Sequence, residues 1–323
     1  MTDLTAFMER HFRHFNSRST LRAADAWLAH LDSGGKMFVT LAGAMSTAGI
    51  GRSLAPLIRS GCVHGISCTG ANLEEDIFLL LAADEYEHID SWRGLRAEDD
   101  QALLERHMNR VTDICIPETV MRHLETRLFD RWLAACAAGV TKLPSEHLWD
   151  VLDDPDLAQH FQSDPKDSWL LAAKEMGVPV WTPGWEDSTT GNMFAAHAID
   201  ESLPHHHCVA SGTEQMASLC KWYVAQGHTS IGFFQVGGGI AGDFAICAVP
   251  LLMQDLKLDV PLWGYFAQIS DAVTSYGGYS GAPPNEKITW GKLAVDTPKF
   301  MIQSDASIVA PLIFQYVLDA RQG

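Results

Sequence analysis

The chain has 323 residues, of which 47% are hydrophobic and 20% are charged, and its formal net charge is −17. A disordered chain would be poorer in apolar residues, and a nucleic-acid-binding protein would need a basic surface, so the composition argues against both classes. The acidic charge is compatible with a cationic small substrate, although solubility alone would also explain it. The start of the chain has no signal-peptide pattern and no apolar run is long enough to cross a membrane, so we expect a cytoplasmic protein without membrane contact.

Apolar periodicity predicts a helix over about the first thirty residues. Its apolar face is expected to comprise Leu4, Met8, Phe12 and Phe15, which recur at helical spacing. The turn formed by Asp32-Ser33-Gly34-Gly35 should end this helical region.

Strand, small-residue loop and helix then follow one another twice. Short apolar strands are predicted at 37–41 and 63–67, the middle of the chain at about 100–175 is mostly helical, and further strands are predicted at 178–181, 230–236 and 262–269 before a final helix at 307–318. This order indicates a Rossmann-like α/β fold, with a doubly wound, mostly parallel sheet flanked by helices. Since no linker or repeat interrupts the chain, we predict a single domain over 1–323.

Loops at the carboxyl ends of such strands are where ligands bind. Five of them stand out, at 43–49, 69–76, 183–192, 237–239 and 275–292. The first and fourth are rich in glycine, which permits either a tight turn or a close approach to a ligand, and the fourth is not a G-x-G-x-x-G fingerprint. The second carries Glu74, Glu75 and Asp76. Taken alone, this loop favours acids that complement a helix dipole, and the alternative is that one carboxylate binds ribose hydroxyls or a substrate ammonium.

The fifth loop ends in Trp290-Gly291-Lys292, and it is either a tether or a binding loop. A lysine in desolvated surroundings can lose its proton and act as an amine nucleophile, whereas most single lysines are solvated surface residues. The residues alone leave both interpretations open.

Cysteine and histidine patterns predict no metal site. The seven cysteines form no C-x-x-C pair, and His205-His206-His207 has no cysteine or acid at a recognised ligand spacing. We expect free thiols and a polar histidine loop.

The run 285–292, Asn-Glu-Lys-Ile-Thr-Trp-Gly-Lys, resembles the deoxyhypusine synthase family, and the details are most similar to its bacterial-type branch. Supporting motifs are Gly70 with the acids at 74–76, the glycines at 237–239, and Ser304-Asp305-Ala306-Ser307, so the resemblance covers about 35–318. It implies an NAD-dependent aminoalkyl transferase that acts on polyamines such as spermidine, and a homotetramer. Its lysine carries a four-carbon fragment as an imine to an acceptor amine, which is a small molecule or a protein lysine.

The resemblance also implies a role for individual residues. Lys292 is the imine-forming lysine, and Asp243 stands near the position of the family's catalytic histidine. The expected substrate-binding residues are Trp290, Glu286, Asn192, Tyr279 and Gly277. The expected NAD-binding residues are Ala44, Met45, Ser46, Thr47, Thr69, Gly70, Ala71, Glu75, Asp187, Gly238, Ala272, Asp305 and Ala306.

Two departures from the family pattern concern the residues that bind the amine substrate. Asn192 and Tyr279 occupy positions that carry acids in the deoxyhypusine-forming enzymes. Losing two carboxylates should weaken the binding of a dication, by roughly 1.5–3 kcal/mol for each contact. We therefore expect a different donor or acceptor. A homospermidine-type synthase that makes a free triamine, and a non-catalytic NAD-binding regulator, are the alternatives.

Overall fold

The computed structural model describes residues 4–274 and 277–322. Its strands are β1 (Lys36–Leu41), β2 (Gly65–Cys68), β3 (Glu87–His88), β4 (Met108–Val111), β5 (Ile114–Pro117), β6 (Val180–Trp181), β7 (Ile231–Val236), β8 (Tyr265–Ile269) and β9 (Lys299–Ile302). Six of them form one parallel sheet in the order β6-β2-β1-β7-β8-β9. The other three form a small antiparallel sheet in the order β3-β5-β4.

Helices connect and cover the strands. They are α1 (Leu4–His11), α2 (Phe15–Asp32), α3 (Gly51–Arg59), α4 (Gly70–Ala82), α5 (Ala97–Glu105), α6 (Glu118–Ala138), α7 (Pro144–Leu152), α8 (Trp169–Glu175), α9 (Thr189–Ile199), α10 (Gly212–Ala225), α11 (Gly239–Ile246), α12 (Ala248–Pro250), α13 (Glu286–Thr289) and α14 (Ala306–Gln322). In the described part of the chain, no helix is long and apolar enough to cross a membrane.

The large sheet separates two apolar cores because successive side chains of a strand point to opposite faces. One face carries Phe38, Phe233 and Phe266, which are neighbours in register, with ring centroids 5.8 and 6.2 Å apart from one strand to the next. The other face carries Val39 and Phe234. Burying one such ring is worth about 1.5–3 kcal/mol, so these rows hold the parallel strands together.

The strand order places a crevice in the middle of the sheet. Numbered by their order along the chain, the six parallel strands lie in the order 3-2-1-4-5-6, which reverses between β1 and β7. Connections from these two strands leave in opposite directions, and this divergence opens a ligand-binding crevice at their carboxyl ends. The predicted doubly wound α/β fold is confirmed.

The predicted N-terminal helix is interrupted. It divides into α1 and α2, and Phe15 begins α2 with a positive φ of 53° and 93% of its surface exposed. Met8 is buried and Leu4 and Phe12 pack against the core. The prediction that Phe15 shares their face is wrong, because the break after α1 changes the direction of the helix that follows.

Two strand regions were overlooked in the sequence. The first is the small antiparallel sheet of β3, β4 and β5, whose strands of two to four residues are too short to show alternation. The edge strand β9 is only partly buried, so its apolar pattern is weak.

Candidate active site

Lys292 is held in place by the end of a short helix. Gly291 adopts a left-handed φ of 68° and terminates α13, and the Lys292 amide then donates to the Lys287 carbonyl at 3.0 Å. The Lys292 carbonyl accepts from the Trp263 amide at 3.2 Å, just before β8. A glycine is required at 291 because other residues rarely adopt this conformation. The turn thereby fixes the lysine against the sheet.

Lys292 lines a cavity of about 610 Å³, which we call the lysine cavity. Its lining is Asp243, Cys247, Gly277, Gly278, Tyr279, Ala282, Glu286, Lys287, Trp290 and Lys292. These include every residue predicted for catalysis or substrate binding except Asn192. Asn192 is exposed on α9, where its side-chain amide donates to the Ser188 carbonyl at 2.7 Å.

Asp243 is the anionic partner of Lys292. The Lys292 ammonium lies 3.3 Å from the Asp243 carboxylate, and Lys292 is buried while Asp243 is half-exposed on α11. Cys247, one helical turn after Asp243, directs its thiol to the same carboxylate oxygen at 3.6 Å. A carboxylate in this position can accept a proton from the lysine, which is what an amine nucleophile needs.

Tyr279 forms the inner aromatic wall of the cavity. Its hydroxyl donates to the Gln235 side chain at 2.9 Å, and burial raises the pKa of Tyr279 well above its usual value. The Lys292 ammonium lies 5.7 Å from the centre of the Tyr279 ring. Trp290 is 5.9 Å from the same ammonium but is 66% exposed. The apolar surface around the lysine is therefore closed by Tyr279 on the inside and open beside Trp290.

Lys287 is a second lysine in the cavity, and its role was missed in the sequence. Only 3% of its surface is exposed, and its ammonium has no hydrogen-bond partner among the described residues. The ammonium lies 4.8 Å from the Phe266 ring centre and 4.9 Å from that of Tyr279. Burial, and secondly the charge of Lys292, lower the pKa of Lys287 to about 8. A lysine in a short polar helix gives no sequence signal of burial.

Two buried glutamines tie the glycine loop to the cavity. Gln235 and Gln268 are neighbours in register on β7 and β8, and both side chains donate to the Gly237 carbonyl at 3.1 Å. Gln268 also donates to the Ser280 carbonyl at 2.9 Å. Each glutamine stands at the penultimate position of a nearly apolar strand, and this pattern in the sequence could have identified both residues as part of the site.

The segments after β1, β2 and β6 (42–50, 69–76 and 182–192) meet at the other side of the crevice. They include the first turns of α4 and α9, and we call them the switch-point loops. Ser46, expected to bind NAD, is buried, and it donates two hydrogen bonds to Asn72, from its hydroxyl to the Asn72 carbonyl at 2.6 Å and from its amide to the Asn72 side chain at 2.9 Å. It also accepts from the Trp169 indole at 2.9 Å. The Thr69 hydroxyl caps α4 and donates to the Gly43 carbonyl at 2.7 Å. These polar groups therefore hold the loops to one another.

The three acids of α4 do not lie in its first turn, so the expectation that they complement its dipole is wrong. Glu74 accepts from the Thr189 and Thr190 amides at 2.9 and 2.7 Å and thereby caps α9. Asp76 accepts from the Ser168 hydroxyl at 2.5 Å and from the Leu170 amide at 3.1 Å at the start of α8. The acids bind donors of other helices because α4 is buried between them.

Glu75 differs from its two neighbours. Its hydrogen-bond partner in the described structure is Thr47, and burial raises the pKa of Glu75 to about 7. Thr47 also lines a second cavity of about 510 Å³, which reaches Ser307 at the start of α14. Of the residues predicted to bind the cofactor, Thr47 lines this cavity, and Ser307 belongs to the motif that contains the predicted residues Asp305 and Ala306.

The remaining predicted cofactor residues lie on loops or helix starts. Gly238 packs so closely on Ser280 that an added Cβ would lie 1.8 Å from its hydroxyl oxygen. Asp305 accepts from the Ser307 amide at 2.8 Å. Asp187 is exposed, and the Ala272 amide donates to the Ser270 hydroxyl at 3.1 Å. Ala44, Met45, Ala71 and Ala306 are partly exposed. Of the residues in this group, Gly238 is the one whose small size is explained by close packing.

Comparison with known proteins identifies the family. The deoxyhypusine synthase family model matches residues 3–317. A deoxyhypusine synthase-like protein of Nostoc sp. is 31% identical over 326 residues, covering 98% of this chain and 82% of the relative. A Methanosarcina mazei protein named “Probable deoxyhypusine synthase 1” is 28% identical, covering 94% and 86%. A solved structure from Entamoeba histolytica, named as a deoxyhypusine synthase, shares the fold with a TM-score of 0.62 at 13% identity, covering 97% and 92%. The chain belongs to the deoxyhypusine synthase family.

Proposed function

We propose that this protein is an NAD-dependent aminoalkyl transferase that acts on polyamines through an imine at Lys292. Family membership supports an aminobutyl transferase of the deoxyhypusine synthase type. The observation that carries the proposal is the buried Lys292 ammonium, 3.3 Å from Asp243 inside the lysine cavity. A buried lysine beside a proton acceptor is the arrangement that amine catalysis requires.

The fold is compatible with a dinucleotide. Gly43 follows β1 and Gly239 follows the glycine loop after β7, so both lie at the carboxyl ends of the two strands between which the sheet order reverses. Both have positive φ, and an added Cβ would meet nothing within 4 Å at either position. Their uncovered backbone leaves room for a cofactor, with Thr47 and Glu75 close to the same crevice. When bound, NAD would supply reversible acceptance of a hydride, taken from the donor amine and returned to the imine of the acceptor, so that the overall transfer is redox-neutral.

The residues of this chain would perform the transfer itself. Asp243 accepts a proton from Lys292, whose neutral amine then attacks the electrophilic carbon of an oxidised amine. A new bond forms between the lysine nitrogen and that carbon, the original carbon–nitrogen bond breaks, and the departing amine takes up a proton. An acceptor amine reverses these steps and removes the fragment. Tyr279 and Trp290 would contact the methylenes, and Glu286 would bind an ammonium at the exposed side.

The acceptor reaches the site from solvent in this proposal. Glu286 and Trp290 are exposed at the cavity, so either a small amine or a lysine of a protein can approach. We also propose the homotetramer that the family resemblance implies, which light scattering of the purified protein would measure. A tetrameric mass is expected, and a monomeric mass would oppose this part of the proposal.

Intact-protein mass spectrometry tests the lysine chemistry. The protein is incubated with NAD and a panel of di- and triamines, including spermidine and putrescine, and is then reduced with borohydride. The wild type and a control, Lys221→Ala, which changes an exposed lysine of α10, should gain the mass of one aminoalkyl fragment. Lys292→Ala should gain none. Peptide mapping should place the added mass on Lys292.

The products separate the two enzymatic alternatives. A free triamine in solution would indicate a homospermidine-type synthase, and a mass increase on an added protein would indicate protein modification. An adduct that persists in Lys292→Ala would contradict the proposed role of this lysine. Absence of any adduct in the wild type, despite NAD binding, would indicate a non-catalytic regulator.

A further inference from the structure

The proposed function leaves the buried Lys287 without a role. Its ammonium is directed into the aromatic corner made by Phe266 and Tyr279, and it has no acceptor among the described residues. A lysine offers three donors and no acceptor, and leaving a buried ammonium unpaired is costly. Such a group is retained at this cost where a bound molecule supplies the missing acceptor.

The charges of the lysine cavity point to the kind of molecule. The ionisable carboxylates and amines that line it are Asp243, Glu286, Lys287 and Lys292, since burial keeps the Tyr279 hydroxyl and the Cys247 thiol protonated. With both lysines charged the lining is neutral, and the transfer of a proton from Lys292 to Asp243 leaves it neutral. A simple diamine brings two positive charges to this lining. A diamine that also bears a carboxylate brings one, so it leaves less positive charge uncompensated in the cavity.

We propose that Lys287 binds a carboxylate of the amine substrate, so that the cavity selects a carboxylate-bearing diamine over a simple diamine. The carboxylate would lie beside Tyr279, within reach of the Lys287 ammonium, while the two amino groups lie toward Lys292 and toward Glu286. An ammonium–carboxylate hydrogen bond in a buried site supplies both orientation and charge neutralisation. The inference rests on the proposed function and deepens it.

The position of Tyr279 supports this arrangement. Its hydroxyl is occupied by Gln235 at 2.9 Å, so it presents only its ring to the cavity. The ring does not bind a second ammonium as a carboxylate would. Among the lining residues, Glu286 and Asp243 are the carboxylates, and Asp243 already faces Lys292 at 3.3 Å. Glu286 is therefore available to bind one ammonium of the substrate, and Lys287 is available to bind an anionic group.

Titration calorimetry with ornithine and putrescine tests the selection. The two probes share the same carbon chain and amines, and ornithine adds a carboxylate. In the presence of NAD, the wild type should bind ornithine more tightly, and Lys287→Met should lower the ornithine affinity about ten- to hundredfold while raising that of putrescine. Lys221→Met should retain the wild-type preference. Methionine matches the length of the lysine stem, and thermal unfolding confirms that the variant is folded.

The result that overturns the inference is an equal preference in the wild type and Lys287→Met. An equal loss of both affinities in the variant would also overturn it, because a merely structural lysine would act on both probes alike. Borohydride trapping in the same samples keeps the two proposals apart. Selective ornithine binding without any adduct supports the role of Lys287 and contradicts the proposed transferase activity. Adducts formed without selectivity support the transferase activity and contradict the role of Lys287.

Discussion

The switch-point loops and the lysine cavity both consist of small and polar residues after buried strands, but their polar groups are used differently. In the switch-point loops, Ser46, Glu74 and Asp76 each accept or donate two or more hydrogen bonds within the protein. In the lysine cavity, Lys287 has no acceptor among the described residues, and Lys292 pairs with Asp243. Between these two regions, the unpaired buried ammonium of Lys287 distinguishes the candidate site more clearly than residue type does.

Of the substitutions that test this difference between the two regions, Asp76→Ala in the switch-point loops is expected to have the largest effect on stability. The substitution leaves the Ser168 hydroxyl and the Trp169 and Leu170 amides of α8 without their acceptor. We expect a loss of roughly 3 kcal/mol in the free energy of unfolding, measured by urea denaturation. Asp84→Ala, which changes an exposed acid after the same helix, should stay within about 0.5 kcal/mol. A comparable loss in both variants would mean that Asp76 has no special structural role.

A smaller effect is expected from Gly70→Ala. An added Cβ would lie 2.5 Å from the Ser188 Cβ, so α4 and the start of α9 must separate. We expect a loss of about 2 kcal/mol whether or not NAD is present. The control is Gly94→Ala, where an added Cβ meets nothing within 4 Å.

Calorimetry with NAD distinguishes the two interpretations of Gly70. If its small size serves packing, as the structure indicates, the stability falls in the absence of ligand. If it served only a close approach to the cofactor, the stability would be unchanged and only the NAD affinity would fall.

The fold could be predicted from the sequence because the strands of the large sheet are buried on both faces. Residues 37–41 and 230–236 are almost continuously apolar, and each leads into a glycine-containing loop and a helix. Periodicity failed at β4, where the strand Met108–Val111 is half-buried and carries an asparagine and an arginine. The sequence pattern of four such residues cannot be distinguished from that of a loop.

The candidate site could be predicted only in part. The Trp290-Gly291-Lys292 run made Lys292 recognisable, because a single motif carries both the reactive amine and the turn that positions it. Lys287 could not be found, since its burial depends on how α13 packs over Phe266 of β8, a contact between residues distant in sequence. The functions of Glu74 and Asp76 were hidden for the same reason. Their partners lie on α9 and α8, more than ninety residues away.

In the lysine cavity, Lys287→Met should stabilise the protein at pH 7, by about 2 kcal/mol, because it removes a buried unpaired charge. The pKa of Lys287 is lowered from 10.5 to about 8 on folding, chiefly by burial and then by the charge of Lys292, against the attraction of Glu286 and Asp243. Between pH 8 and 10.5 the unfolded state therefore binds more protons than the folded state, so this group makes the wild type more stable as the pH rises.

The advantage of the variant should accordingly shrink from pH 8 upward and be largely lost by pH 10.5. Urea denaturation at pH 7, 8.5 and 10 measures it, with Lys221→Met as the matched control. A constant difference over this range would show that Lys287 does not titrate in the folded protein, and that its ammonium has an acceptor after all.

The smallest expected effect comes from Tyr279→Phe, which tests whether the cavity wall is held in the same way as the switch-point loops. The substitution removes the hydroxyl that donates to Gln235 at 2.9 Å and should lower the free energy of unfolding by about 1 kcal/mol. Tyr86→Phe is the matched control, because the Tyr86 hydroxyl is buried without a hydrogen-bond partner in the described structure. Its removal should be neutral or slightly stabilising, since no bond is lost and a desolvated polar group disappears. Equal losses in the two variants would show that the Gln235 contact contributes nothing, and that the wall beside Lys287 and Lys292 is held by ring packing alone.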